Sequence, residues 1–165
     1  MNEWLKLSEK RRLEILNQVN SQTGLPTDAI EKDWWVTITL KAIFSSKFAQ
    51  HLVFKGGTSL SKAYNLIERF SEDIDLSIDR TMLGFEGELS KTQIKKLRKA
   101  SGNFIVGEFK EELISELEKL GVNKENYNLI FDDEIDDTSD PHRLELEYNS
   151  IVEPGEYIPQ RVIIE

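Results

Sequence analysis

The chain has 165 residues, enough for one domain with a hydrophobic core and too few for two sizeable ones. It contains no cysteine and only two histidines, which excludes disulfides and thiolate metal sites and leaves little for zinc or a histidine-based triad. No apolar run approaches the ~20 residues of a membrane span, and the N-terminus does not resemble a signal peptide. We therefore expect a cytoplasmic protein without a membrane partner, in which oxygen ligands would hold any metal, favouring magnesium or manganese.

The net charge of −9 is distributed unevenly. Residues 1–70 carry ten basic and seven acidic side chains, whereas residues 71–165 carry eleven basic and 23 acidic ones. An acidic chain is a poor non-specific binder of nucleic acid. A polyanionic acceptor would need a local basic patch, for which the lysine-rich run 91–99 is the candidate, although a solvated surface is the commoner interpretation of such a run.

The first 50 residues predict two helices. The first is amphipathic and covers Trp4–Asn20, and Thr27 or Asp28 can cap the second. Trp34 and Trp35 on the second helix are expected to be core and half-core residues rather than a base-stacking platform.

The stretch Leu52–Ile78 predicts a short apolar strand, a glycine pair, a helix and a second strand with alternate carboxylates. Gly56 and Gly57 can adopt positive φ and let a ligand approach the backbone, and Thr58 and Ser59 lie near the N-cap of the helix. Unpaired N–H groups at a helix N-terminus stabilise an anion such as a nucleotide phosphate. These residues therefore follow one another in the order expected of a phosphate-binding site.

Asp73 and Asp75 supply negative charge, opposite in sign to the partial charge at the helix N-terminus. Residues two apart on a strand point to the same face at roughly 6 to 7 Å, close enough for both carboxylates to hold divalent cations that also bind phosphate oxygens. A helix over Ser59–Ile67 and an extended return over residues 68–72 would let the two ends meet. The predicted core-facing stripe of this helix is Leu60, Ala63, Tyr64 and Ile67.

On these residues alone, a plain structural turn beside a solvated carboxylate pair remains an alternative. A Walker A loop and a nucleophile elbow are excluded, because neither spacing occurs around the glycines.

The remaining chain predicts a loop, a long helix and three strands. The helix covers Lys91–Leu120, with a break near Gly102 and Gly107. The strands cover Asn126–Phe131, Arg143–Ile151 and Arg161–Glu165, and the acidic run 132–140 is expected to be a solvated turn. In the second strand, alternation places Leu144, Leu146 and Tyr148 on one face.

The predicted fold class is α/β (α+β), a mixed sheet of about five strands flanked by helices, with an N-terminal helical segment packed on it. We expect one domain over residues 1–165, with a helical segment at 1–50 and the sheet-containing core at 51–165.

Two motifs, FKGGTSLSKAY at Phe54–Tyr64 and RFSEDIDL at Arg69–Leu76, resemble those of the AbiEii/AbiGii-type toxins of the nucleotidyltransferase superfamily. A glycine pair with Ser or Thr, then Asp-x-Asp after a helix, is also similar to DNA polymerase β-like enzymes. In those enzymes the aspartates hold magnesium and the glycine turn holds the triphosphate. The run EKDWWVT resembles the helix that precedes the first motif, and Lys32 or Asp33 is expected at the rim of the site.

The resemblance implies transfer of a nucleoside monophosphate from a magnesium-bound triphosphate, such as GTP or CTP, to an RNA or protein acceptor. It also implies the toxin of a bacterial toxin–antitoxin or phage-abortive-infection system, opposed by a cognate antitoxin. The alternative is a nucleotide-binding regulatory module without transfer activity.

Asp73 and Asp75 are accordingly expected to bind metal and to be catalytic. Glu165 is the candidate for a third catalytic carboxylate, with Glu145 and Glu147 as weaker alternatives. The candidates for nucleotide binding are Lys55, Gly56, Gly57, Thr58, Ser59, Arg69 and Ser71. Of these, Lys55 and Arg69 could equally form salt bridges between strand ends, and Ser71 could orient the carboxylates. In the family, a segment similar to 161–165 continues into a lysine motif and a late aspartate motif, so this chain is expected to be the N-terminal part of a longer protein.

Overall fold

The computed structural model describes residues 3–67, 73–131, 142–153, 155 and 158–165. The α-helices in these residues are α1 (Glu9–Thr23), α2 (Thr27–Ser45), α3 (Gly56–Lys62), α4 (Lys91–Phe104) and α5 (Lys110–Lys119). The strands are β1 (Leu52–Lys55), β2 (Asp75–Ile78), β3 (Tyr127–Phe131), β4 (Leu144–Tyr148) and β5 (Arg161–Ile164). None of the helices described combines the length and the apolar content that crossing a membrane requires.

Two antiparallel ladders, β1–β2 and β3–β4–β5, are joined through parallel hydrogen bonds between β2 and β5. The Ile74 N–H donates to the Ile163 carbonyl at 2.8 Å, and the Glu165 N–H donates to the Ile74 carbonyl at 2.9 Å. The Leu76 N–H donates to the Glu165 carbonyl at 2.7 Å. The strand order is therefore β1-β2-β5-β4-β3, which confirms the predicted α+β fold and gives the sheet its mixed character.

One face of the sheet is apolar and packs against the helices. The predicted alternation in β4 is confirmed, because Leu144, Leu146 and Tyr148 are all buried. Trp35 of α2 stacks on the Tyr148 ring with a centroid separation of 5.0 Å and an interplanar angle of 13°. This contact fixes α2 on the apolar face and confirms that Trp35 is a core residue.

Helix α2 carries buried polar side chains as well as apolar ones. Glu31 is 1% exposed, and its carboxylate accepts hydrogen bonds from the Ser150 hydroxyl at 2.5 Å and from the Ile151 N–H at 3.2 Å. These contacts attach α2 to the turn after β4. Burial raises the pKa of Glu31 above its ordinary value of 4.5, and the two hydrogen bonds oppose that rise without cancelling it.

The starts of the first two helices differ from the prediction. Helix α1 begins at Glu9, after a separate 3₁₀ turn at Trp4–Lys6, because Ser8 caps it by accepting a hydrogen bond from the Arg11 N–H at 3.3 Å. At α2 the N-cap residue is Pro26, whose side chain has no hydrogen-bonding group.

The predicted break in the long helix is replaced by a π-helical turn at Ile105–Phe109, which contains Gly107 and joins α4 to α5. Phe104 and Phe109 are buried on either side of it, with ring centroids 5.9 Å apart. Packing of these two rings keeps the chain helical where glycine propensity alone would favour a break.

We predict that Glu31→Gln removes a pH dependence of stability. Because the pKa of Glu31 is raised on folding, its contribution to stability is complete below the ordinary value of 4.5 and is lost as pH rises through the raised value. The difference in unfolding free energy between wild type and variant, measured by urea denaturation, should therefore shift against the wild type as pH rises from 4 to 8. Parallel pH profiles would contradict the assigned burial of this carboxyl.

Candidate functional site

The second face of the sheet carries a row of four charged side chains, Lys55, Asp75, Glu165 and Arg143. Lys55 pairs with Asp75 across the β1–β2 ladder. The parallel register of Ile74 with Ile164 places Asp75 beside Glu165, on the face opposite the buried isoleucines. We call these four residues the charged row.

Arg143 completes the charged row at the β4 end. Leu144 pairs with Ile164 in the antiparallel β4–β5 ladder, so the preceding Arg143 lies opposite Glu165. Its guanidinium donates to Glu165 Oε1 from Nε at 3.0 Å and from Nη2 at 2.5 Å. The row therefore places two carboxylates side by side between two cations.

Asp73 lies two residues before Asp75, directly ahead of β2. Because β2 begins at Asp75, Asp73 lies outside the strand, and the expectation that the two carboxylates share one face stays a prediction. Both side chains are half-buried. The structure thus sets Glu165 beside Asp75, with Asp73 two residues before Asp75 along the chain.

The alternative third carboxylates lie further away. Glu145 is opposite Ile163 on β4, two strands from Asp75 and thus roughly 10 Å away at a strand spacing of about 4.8 Å. It is 5% exposed and accepts a hydrogen bond from Arg161 Nη1 at 3.0 Å. Glu147 lies one pair further along the same ladder, opposite Arg161. The register therefore favours Glu165.

Gly56 adopts positive φ, at +74°, at the junction of β1 and α3. A Cβ built there would lie 2.5 Å from the Asp75 Cγ and 2.9 Å from the Asp75 Cβ, so only glycine leaves room for this carboxyl group. Gly57 was expected to share this property, but its φ is not positive because it already lies in the first turn of α3. Close approach to the backbone is therefore a feature of Gly56.

Helix α3 buries a different face from the one predicted. Thr58 and Ser59 are 0% and 3% exposed, whereas Leu60 and Tyr64 are 41% and 65% exposed. The helix ends at Lys62, too early for a stripe extending to residue 67 to form. The two hydroxyl residues pack inward in this structure, and their contact with a phosphate stays a prediction.

Helix α3 is attached to α2 by an ion pair. Lys62 Nζ lies 2.6 Å from Asp33 Oδ1 and 3.1 Å from Thr37 Oγ1. Asp33 therefore positions α3 rather than standing unpaired at the rim of the site. Lys32, the other residue expected at that rim, is 0% exposed in the interior.

Arg69 and Ser71 fall outside the described residues, and their assignment to nucleotide binding stays a prediction.

The family model of the nucleotidyl transferase AbiEii toxin, from type IV toxin–antitoxin systems, matches residues 38–165. The chain belongs to this family. The matched residues include β1 to β5, the glycine turn and the whole charged row. The searches of curated proteins and of solved structures gave no significant match.

The carboxylates Asp73, Asp75 and Glu165 are the candidates for binding a divalent cation in this AbiEii-family chain. Within the described ranges, no three histidine or carboxylate side chains converge closely enough to hold a metal ion by themselves. Magnesium usually takes only one or two protein carboxylates and completes its shell with water and substrate phosphates. Asp73 and Asp75 supply oxygen donors two residues apart and fit that chemistry.

The sequence prediction missed Arg143. The alternation in RLELEY, which placed Leu144 inward, also placed Arg143 on the polar face. Its pairing with Glu165 could be found only once the register of β4 with β5 was known.

We predict that Gly56→Ala and Gly57→Ala have opposite effects. Alanine at position 56 would strain the backbone and displace the Asp75 carboxyl group, costing on the order of 1–3 kcal/mol in unfolding free energy. Alanine at position 57, inside a helix, should be neutral or stabilising by up to about 1 kcal/mol. Urea denaturation of both variants is the measurement, and equal stabilities would contradict the close packing of Gly56 against Asp75.

Proposed function

We propose that this AbiEii-family chain transfers a nucleoside monophosphate from a magnesium-bound triphosphate to an RNA or protein acceptor. The observation that carries the proposal is the register between β2 and β5, which sets Glu165 beside Asp75. Two neighbouring carboxylates, with Asp73 two residues before one of them and a glycine turn nearby, suit in-line phosphoryl chemistry. A cytoplasmic location, where triphosphates and RNA occur, is part of the proposal.

Asp73 and Asp75 are the proposed cation ligands and catalytic carboxylates, and Glu165 is the third. When bound, magnesium would neutralise phosphate charge and assist both the attacking and the leaving oxygens. Manganese could replace it, since both ions prefer oxygen ligands. Asp73 and Asp75 would hold the cation, whose positive charge would allow the α-phosphate to lie over the face of β2 and β5.

The β and γ phosphates would lie at Gly56 and Gly57, where the chain passes from β1 into α3. Lys55, the N-cap residue of α3, makes no side-chain hydrogen bond to the helix and is exposed. Its ammonium group is thus available to a phosphate at the end of the charged row. Thr58 and Ser59 would contribute mainly through backbone N–H groups unless their hydroxyls reorient on binding.

Arg143 is a further candidate for phosphate binding. In this structure its guanidinium balances the charge of Glu165, which lies next to the like-charged Asp75. Entry of a cation between the carboxylates would relieve the same repulsion and release Arg143 toward the phosphates. The fork geometry of arginine suits that exchange of partners.

The proposal also covers the identity of the acceptor and of the nucleotide. RNA is supported by the exposed lysines on the first half of α4, namely Lys91, Lys95, Lys96 and Lys99. On an acidic chain such a patch is where a polyanion would be attracted. GTP and CTP are the first triphosphates to test.

The family's place in type IV toxin–antitoxin systems implies an antitoxin as the partner of this protein. We propose that a cognate antitoxin opposes the transfer activity in the cell.

A regulatory module that binds nucleotide without transferring it is the second candidate. It is favoured by the inward packing of Thr58 and Ser59 and by the engagement of Glu165 Oε1 with Arg143. Such a module would bind the nucleotide but would not stabilise the transition state of the transfer.

We predict that Asp73→Asn, Asp75→Asn and Glu165→Gln each lower magnesium-dependent transfer from α-labelled GTP or CTP to total RNA. The two aspartate variants should also weaken magnesium-dependent nucleotide binding, measured by calorimetry, by at least about tenfold, or roughly 1.4 kcal/mol. Glu147→Gln is the matched control, because Glu147 lies on the same sheet face but away from the charged row.

The outcomes separate the two candidates. Binding that depends on the aspartates but yields no labelled product with RNA or protein would favour the regulatory module. Unchanged binding in both aspartate variants would contradict the metal assignment.

A further inference from the structure

The face of the sheet that carries the charged row continues past it along β1 and β2. Val53 pairs with Ser77 in the β1–β2 ladder, two residues from the Lys55–Asp75 pair on each strand. Side chains two apart on a strand point to the same face, so Val53 and Ser77 lie beside the charged row, roughly 6 to 7 Å away along the strands. We call these two residues the Val53–Ser77 pair.

Both members of the pair are open to solvent. Val53 is 63% exposed, whereas its neighbours Leu52 and Phe54, which point toward the helices, are buried and half-buried. Ser77 is exposed as well. One exposed valine is ordinary on a protein surface, but this one lies beside a hydroxyl and next to the proposed catalytic carboxylates. The pair therefore offers a small flat surface with one hydrogen-bonding group at the edge of the proposed site.

The proposed position of the leaving group determines the side from which an acceptor approaches. Gly56 and Gly57, where the β and γ phosphates would lie, follow the charged row along the chain, whereas Val53 precedes it. The Asp75 carboxyl group packs on the glycine side, since a Cβ at Gly56 would lie 2.5 Å from the Asp75 Cγ. In an in-line transfer the attacking and leaving oxygens lie on opposite sides of the α-phosphate. The acceptor therefore approaches from the side of the Val53–Ser77 pair.

The next pair of residues limits how much of an acceptor this surface can hold. One step beyond the Val53–Ser77 pair, the Asp79 N–H donates to the His51 carbonyl at 2.8 Å. Asp79 is exposed, and hydrogen bonds from the Thr81 N–H and hydroxyl lower the pKa of its carboxyl group below the ordinary value of 3.8. Its negative charge would repel a second phosphate group. The surface therefore suits one terminal nucleoside rather than a run of nucleotides.

We propose that the Val53–Ser77 pair is the acceptor subsite of the transfer reaction and holds the 3′-terminal ribose of an RNA chain. This inference rests on the proposed function. The Ser77 hydroxyl hydrogen-bonds the 2′-hydroxyl, and Val53 packs against the sugar. A 2′-hydroxyl is the group by which a protein distinguishes RNA from DNA, so Ser77 determines that preference.

The chemical step balances with the groups already assigned. The 3′-hydroxyl oxygen forms a bond to the α-phosphorus, and the bond from the α-phosphorus to the oxygen that bridges to the β-phosphate breaks. Pyrophosphate leaves with that electron pair toward Gly56 and Gly57. The hydroxyl proton passes to the Glu165 carboxylate.

The first measurement is RNA binding, which does not require turnover. The 165-residue chain, with magnesium and a non-hydrolysable GTP analogue, is titrated with a short single-stranded RNA that has a free 3′ end. Backbone amide shifts are expected at Val53 and Ser77. Binding that leaves these two amides unshifted, or no binding at all, would overturn the subsite.

A charge placed on the surface should block the acceptor but not the nucleotide. Val53→Glu should weaken RNA binding and raise the KM for RNA at least about tenfold, because its carboxylate would face the RNA phosphates. Its magnesium-dependent nucleotide binding, measured by calorimetry, should match that of the wild type. Asn128→Glu is the matched control, because Asn128 is an exposed strand residue on the same face, opposite Glu147 on β4. It should change neither quantity, and if Val53→Glu fails to fold, the amide shifts of the wild type decide.

The role of Ser77 is tested by its discrimination between two acceptors. The wild type should prefer an RNA with a terminal ribose over the same RNA with a 2′-deoxy terminus by at least about threefold in kcat/KM. Ser77→Ala should lose this preference and keep its activity on the 2′-deoxy acceptor. A purely structural effect would lower the activity on both acceptors equally, so a preference that survives Ser77→Ala would overturn the assignment.

Failure of the subsite and failure of the proposed function give different results. Transfer that Val53→Glu leaves unchanged, or transfer to protein in place of RNA, would overturn the subsite while nucleotidyl transfer stands. RNA-dependent shifts at Val53 and Ser77 without any labelled product would support the subsite and contradict the transfer activity.

Discussion

The parallel pairing of β2 with β5 is the interaction on which the rest of this structure depends. Without the hydrogen bonds that Ile74 and Leu76 make with Ile163 and Glu165, the molecule would contain a separate two-stranded ladder and a separate three-stranded sheet. The pairing is secured from the apolar side, because Ile74 and Ile164 are both buried in the shared core. Since neighbouring residues in parallel strands point to the same face, burial of the two isoleucines forces Asp75 and Glu165 together on the other face.

Placing two carboxylates side by side is electrostatically unfavourable, and the sheet compensates for it at both ends of the charged row. Lys55 lies across from Asp75, and Arg143 binds Glu165 through two N–H groups. The hydrophobic effect thus holds a charge arrangement that the side chains would not adopt alone. A divalent cation with its phosphate ligands is well suited to such a surface, since it replaces unfavourable repulsion by coordination.

Much of this could be predicted from short-range patterns. The alternation in β4 identified its buried face, and the apolar strand before the glycines was placed correctly. The second strand was predicted too, although it begins at Asp75 and leaves Asp73 outside. The two motifs indicated the family that the match over 38–165 established. These features depend on residues close together in the sequence, where side-chain period and turn chemistry are informative.

Features that depend on tertiary packing could not be predicted. Helix α3 turns Thr58 and Ser59 inward and leaves Leu60 and Tyr64 exposed, and its Lys62 pairs with Asp33 of a distant helix, a contact that sequence spacing does not reveal. Arg143 was missed because its neighbour is set by the register of β4 with β5. Which glycine takes positive φ was also unpredictable, since the Asp75 carboxyl group that requires it comes from another strand.

The central claim is that carboxylates from β2 and β5 act at one cation site. Paramagnetic broadening of backbone amide signals by Mn²⁺, in the presence of a non-hydrolysable triphosphate, tests it most directly. We expect signals of Asp73, Asp75 and Glu165 to broaden together, with Glu147 far less affected. Broadening confined to β2, or spread over the acidic surface without preference for these residues, would contradict the claim.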